Sequence, residues 1–195
     1  MLVRVIIKNL LFLFLYDIIN LQFFRRCLFL FNIGDKIVYP VQGVGIVDFI
    51  EEKELFGETK QFYNIHLINN TMKVLLPTSR AESFNIRLIS NNETLDKLLL
   101  NLNTIKENVS KLDNLNCKQR IQLNTNKIKS GLLSDLVEVI FNLSNVKKLH
   151  ALNSCETQQL KNAKKLLTDE VCLIKNISSS EANSFLTDKL GTYLN

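Results

Sequence analysis

Hydrophobic and polar positions change rhythm twice along the chain. The first thirty residues, MLVRVIIKNLLFLFLYDIINLQFFRRCLFL, are strongly apolar, with charges at Arg4, Lys8, Asp17, Arg25 and Arg26. From residue 31 to about 90 the chain has β punctuation. KIVY is a short β-branched run ended by Pro40, and Gly43 and Gly45 relax the turn that follows. GIVDFIEEKEL mixes strand formers with acids, and Gly57 stands where a reversal is needed. QFYNIHLI alternates, with Phe62, Asn64, His66 and Ile68 on one face and Tyr63, Ile65 and Leu67 on the other. Asn69-Asn70 suits a two-residue hairpin turn because Asn tolerates positive φ. MKVLLP then stops at Pro77, and RLIS makes a last short strand. Five short, strongly bent strands predict a small SH3-like or Tudor-like β barrel.

From residue 91 proline disappears, glycine is nearly absent, and the period becomes helical. Three capping boxes mark starts: Ser90 precedes Glu93, Asn153 precedes Glu156, and Ser178 precedes Glu181, each by three. Leu160, Ala163, Leu167, Val171 and Ile174 make one apolar stripe, and Leu133, Leu136, Val137, Ile140 and Phe141 another. Ala182, Phe185, Leu186 and Leu190 make a shorter third. Amphipathic helices joined by short polar loops predict a helical bundle. The expected fold class is α+β: an N-terminal β barrel over 31–90, then an all-α domain over 91–195, after an extension of residues 1–30.

That extension is rich enough in Leu, Ile and Phe to suggest a membrane helix, but its charges leave no uncharged run of the roughly 18–20 residues a span needs. It lacks the small-residue cleavage site of a signal peptide and carries two arginines after its apolar core. Its residues have AT-rich codons, so translated upstream DNA of an AT-rich genome would look like this. Leu30 would then be a TTG start codon read as methionine, giving a product that begins MFNIGD. A genuine membrane anchor is the alternative reading.

Charge adds an address. The net charge is +5, but residues 111–165 alone hold ten basic side chains against four acids. Such a surface suits nucleic acid, or is simply a solvated helix face. Cys27, Cys117, Cys155 and Cys172 form no CxxC pair, which argues against a zinc site and a disulfide scaffold and for reduced thiols in a bacterial-type cytoplasm. His66 and His150 have no partner at metal-ligand spacing. Glu51, Glu52 and Glu54 read as solvated edge protection, and Gly43-x-Gly45 precedes a strand rather than a helix, so it is not a phosphate loop. No enzyme, cofactor or small-molecule substrate is expected.

The stretch FNIGDKIVYPVQGVGIVDFIEEKELFGETKQFYNIHLINNTMKVLLP resembles the N-terminal domain of the CarD family of bacterial transcription regulators, a module also found in transcription-repair coupling factor. Gly34-Asp35, Val38-Tyr39-Pro40, Gly43-x-Gly45, Ile50-Glu51, Gly57, Tyr63, Met72-Lys73-Val74 and Pro77 carry the resemblance. NSCETQQLKNAKKLLTDEV is similar to the family's C-terminal pattern, so the likeness runs from 31 to about 177. Family members commonly begin just before Phe31, in keeping with a start at Leu30. The resemblance implies a barrel that binds the RNA polymerase β subunit by extending a sheet edge. It also implies a helical domain that meets promoter DNA beside the melted region, favouring the open complex without reading sequence. The implied location is cytoplasmic, on the nucleoid, with no membrane.

VDFIEEKEL is the candidate edge. Lys53 aligns with a basic position at the family's polymerase interface, and Lys73 stands near a second, where this chain has Leu75. For DNA, Lys118, Arg120, Lys127 and Lys129 form one basic group and Lys161, Lys164 and Lys165 another, suited to phosphate neutralisation. Many members wedge a tryptophan into the minor groove; this chain has none, and Cys117 falls near that position. A protein adaptor that keeps the polymerase contact without touching DNA is the rival reading.

Overall fold

The computed structural model describes residues 31–55, 57–68, 72–110 and 115–194. The 1–30 extension and the Asn69-Asn70 turn lie outside the described residues. Residues Ile33–Asn195 form one compact unit.

Its first part is a sheet of β1 (Lys36–Tyr39), β2 (Gly43–Leu55), β3 (Glu58–Leu67), β4 (Lys73–Pro77) and β5 (Arg87–Leu88). The strands lie in the order β4-β3-β2-β1-β5, with every pairing antiparallel. Each run read as a strand is one. Barrel closure is the part that is not shown: no pairing joins β4 to β5 among the described residues. Two 3-10 turns, Thr78–Arg80 and Glu82–Phe84, carry the chain between them. The alternation in β3 holds from Tyr63 onward, with Tyr63, Ile65 and Leu67 buried as are Ile37, Val47 and Leu76, but Phe62 on the other face is buried too. A bulge between Val47 and Phe49 shifts the β2–β3 register by one residue and turns Asp48 toward the His66 ring.

The β1–β2 turn is tighter than its glycines suggest. Gln42 N–H donates to Tyr39 O at 3.1 Å, which puts Pro40 and Val41 in the two central positions. Val41 has φ 70°. A type II turn asks for positive φ at that place and normally takes Gly or Asn there; a β-branched residue costs on the order of 1–3 kcal/mol.

Six helices follow: α1 (Asn92–Leu100), α2 (Leu102–Ser110), α3 (Cys117–Ser130), α4 (Leu133–Leu149), α5 (Ser154–Lys175) and α6 (Ser179–Leu194). The capping boxes at Asn153–Glu156 and Ser178–Glu181 form as read. The first start moves by one residue: Asn91, not Ser90, caps α1 by accepting from Thr94 N–H at 2.8 Å. A further box, Asn116 with Gln119, starts α3. All three apolar stripes meet in one core with Leu95, Leu102, Ile105, Val109 and Ile128.

Sheet and helices are fastened together. The Arg87 guanidinium grips both oxygens of Glu170 at 2.8 Å each, and its Nε donates to Gly131 O at 3.1 Å. Ser90 N–H donates to Glu170 Oε1 at 3.0 Å, which explains why Ser90 is not free to cap α1. Asn85 Nδ2 reaches Lys129 O at 3.2 Å. Gly131 ends α3 at φ 72°, and a Cβ there would stand 2.8 Å from Pro40 Cγ.

Candidate functional site

The strand register sorts the side chains of the sheet. Reading across β2, β3 and β4, one outward row is Phe49–Asn64–Leu75 and another is Ile46–His66–Lys73. Lys53 stands opposite Lys60 on that same face. The predicted pair Lys53 and Lys73 therefore shares one face, separated by six residues of β3, or about 20 Å at roughly 3.3 Å per residue. Both are exposed; Lys53 Nζ lies 3.0 Å from Glu51 Oε1. Between them Phe49 and Leu75 are 43% and 41% exposed, an apolar centre flanked by charge at both ends. Asn64, set between those two, has its Oδ1 buried with no hydrogen-bond partner.

The predicted edge is half an edge. Up to Val47, β2 is covered: β1 pairs with Gly43–Ile46, Gly34 N–H donates to Val47 O at 2.8 Å, and Val47 N–H to Asp35 O at 3.0 Å. From Asp48 to Leu55 the only described pairing partner is β3. The far side of that segment is a strand edge among the described residues, and it carries Phe49, Ile50 and Lys53.

The predicted basic groups of the helices divide by burial. Lys161, Lys164 and Lys165 are all exposed; Lys161 and Lys165 lie on the side of α5 away from Ala163 and Leu167, while Lys164 borders a cleft that Leu167 and Thr168 also line. Lys118 and Lys129 are exposed on α3. Arg120 is not: it is 7% exposed, its Nε lies 2.7 Å from Glu156 Oε1, and Nη1 donates to Leu115 O. Helical spacing places it in line with buried Asn124 and Ile128, on the face of α3 turned inward. The assignment of Arg120 to a phosphate is corrected accordingly: its charge is spent on Glu156. Lys127 is ion-paired with Glu138 of α4 and is only partly exposed. Gln159 of α5 ties the two lysine-bearing helices further, donating to Ile121 O at 3.0 Å and Thr125 Oγ1 at 2.9 Å.

One cationic feature lay outside the sequence reading. Lys147 and Lys148 close α4, both exposed, and Leu149 beside them is 78% exposed. The run KKLH was its visible signal, though lysines in a last helical turn also answer the helix dipole. Cys117 opens α3, exposed; its Sγ accepts from Asn153 Nδ2 at 2.9 Å, beside the Arg120–Glu156 pair. Burial, then the charge of Asp169, pushes the Cys172 thiol up. Among the described residues no three His, Cys, Asp or Glu converge as a metal site, and no helix is long and apolar enough to cross a membrane.

Comparison with known proteins agrees with the order of these two parts. The CarD-like/TRCF RID domain matches residues 31–90, and the CarD C-terminal domain matches 101–187. A Bacillus subtilis (strain 168) protein named "Putative transcription factor YdeB" is 38% identical over 156 residues, covering 80% of this chain and 99% of its own.

Proposed function

The chain belongs to the CarD family of transcription regulators, and from that premise we propose that it bridges RNA polymerase and promoter DNA. The sheet binds the polymerase β subunit through the open edge of β2, Asp48–Leu55, and the outward face that carries Lys53 and Lys73. Backbone pairing at such an edge supplies affinity, and alternate side chains supply selectivity. The helices bind DNA through Lys118, Lys129, Lys161, Lys164 and Lys165, with Lys127 reaching phosphate only by giving up Glu138. These contacts go to phosphate and so do not read sequence. Holding DNA beside the polymerase changes the lifetime of the open complex at initiation.

The observation that carries this reading is the division of labour within one unit. A sheet with an uncovered edge and an apolar, lysine-flanked face is joined to two helices whose outward lysines Lys118, Lys129, Lys161, Lys164 and Lys165 have no ion-pair partner among the described residues, in a family of transcription regulators. Arg120 and Lys127 are held by acids, which reduces the cations available to DNA and favours the adaptor as the second reading.

Anisotropy titration of duplex and forked DNA across a salt series separates the two. Lys161→Ala, Lys164→Ala and Lys165→Ala together are expected to lower DNA affinity and flatten its salt slope by about two to three. A chain with no affinity for either DNA at low salt, yet bound to polymerase, would establish the adaptor. A chain that captures no β-subunit fragment ends the polymerase reading.

A further inference from the structure

The contact between Arg87 and Glu170 asks for more than a stabilising role. Glu170 is 1% exposed, and its carboxylate takes donors from Arg87 Nη1, Arg87 Nη2 and the Ser90 backbone. Arg87 spends its remaining donors on Gly131 O, Leu88 O and the Ser90 hydroxyl. A buried ion pair is a poor device for raw stability, because desolvation offsets most of its attraction. What the planar guanidinium fork does supply is direction: two parallel bonds fix an angle as well as a distance.

The elements joined are the ones that matter. Arg87 lies on β5, which pairs with β1 of the sheet. Glu170 lies on α5 with Lys161, Lys164 and Lys165, while Lys129 O and Gly131 O belong to the end of α3, the helix of Lys118 and Lys129. Both lysine-bearing helices are thus referred to the same point on the sheet.

We propose that Arg87 and Glu170 are a positioning pair that holds the polymerase-binding sheet and the DNA-binding helices at one fixed angle. This rests on the bridging function above and adds the device that makes bridging effective. Two joined binding modules gain most when their geometry matches the separation of their targets, and lose the gain when the joint is loose. Neither residue touches a partner; both act through the elements they connect.

The test uses the full chain with Arg87→Ala, and Glu170→Gln as a milder variant that keeps the fold's shape. Nuclear relaxation is expected to show one tumbling time for sheet and helices in the wild type and two in Arg87→Ala. The affinities for isolated polymerase and for isolated duplex are expected to stay within about twofold, while affinity for the polymerase–promoter complex falls at least tenfold. Glu170→Gln is expected to fall between. The inference is overturned by an unchanged affinity for the complex, or by separate affinities that fall in parallel with it, since either marks a purely structural pair. A wild-type chain that tumbles as one body yet gains nothing from having both targets present overturns this inference and the bridging function together. A wild-type chain that binds both targets, beside variants that still tumble as one, overturns this inference alone.

Discussion

Sheet and helices bury different things. The buried side chains of the sheet are Ile37, Val38, Val44, Val47, Phe62, Tyr63, Ile65, Leu67 and Leu76, all apolar or aromatic. The helices bury a large apolar core and, with it, Arg120, Asn124, Asn142, Glu156, Gln159, Thr168, Asp169 and Glu170. Away from the joint at Arg87, charge in the sheet stays in water: Lys53 with Glu51, and Lys60 with Glu58. Acids of the helices go inside and draw cations with them, Glu156 taking Arg120 of α3 and Glu170 taking Arg87 of β5. The difference teaches where a lysine or arginine can be trusted as a surface ligand. A strand has two faces, and alternation settles which is outward. A helix packed among others turns several faces inward, and a cation there can find an acid from another helix.

The largest test of this contrast is Glu156→Ala. It leaves the Arg120 guanidinium buried without its partner and removes half of the α5 capping box, so chemical denaturation is expected to show a loss of about 3–5 kcal/mol. On the sheet, Glu51→Ala removes an exposed pair and is expected to cost no more than about 0.5–1 kcal/mol. Equal losses would erase the distinction between the two regions. Val41→Asn sharpens it from the sheet side. It keeps the turn and relieves a β-branched side chain at φ 70°, and a rise of about 1 kcal/mol in unfolding free energy is expected. No rise would mean that the turn relaxes in solution. Lys53→Glu should leave the denaturation midpoint nearly unchanged while weakening capture of the β subunit.

The smallest effect concerns Glu181. Its carboxyl is held below the usual carboxylate range by the Ser178 hydroxyl, then by the Ser178 backbone N–H. A depressed folded-state pKa stabilises above the ordinary value, and that contribution is lost as pH falls through the folded one. Stability of Glu181→Gln should therefore converge with the wild type in acid and fall below it toward neutral pH. Curves that stay parallel would remove Glu181 from the acid limb.

Much of this was legible beforehand, for local reasons. The five strand runs follow from alternation and from Pro40, Gly57 and Pro77, and two capping boxes from a donor–acceptor spacing of three. The cap that moved to Asn91 did so because Ser90 is drawn to Arg87 and Glu170, eighty residues away in sequence. That Lys53 and Lys73 share a face follows from the register of β3 with its two neighbours, across a bulge that alternation alone does not show. Arg120 and Lys127 could not be sorted from local pattern either, because Glu156 and Glu138 reach them from other helices. The bulge at Asp48, which gives His66 its partner, likewise leaves no mark in composition.

Gly131 has one further consequence. Its backbone turns left-handed to finish a helix, and its bare α-carbon lets a proline ring from the sheet rest against it. The two layers at that point leave no room for a side chain on the helix side. A methyl group there would act as a shim between the two layers, two residues along the chain from Lys129.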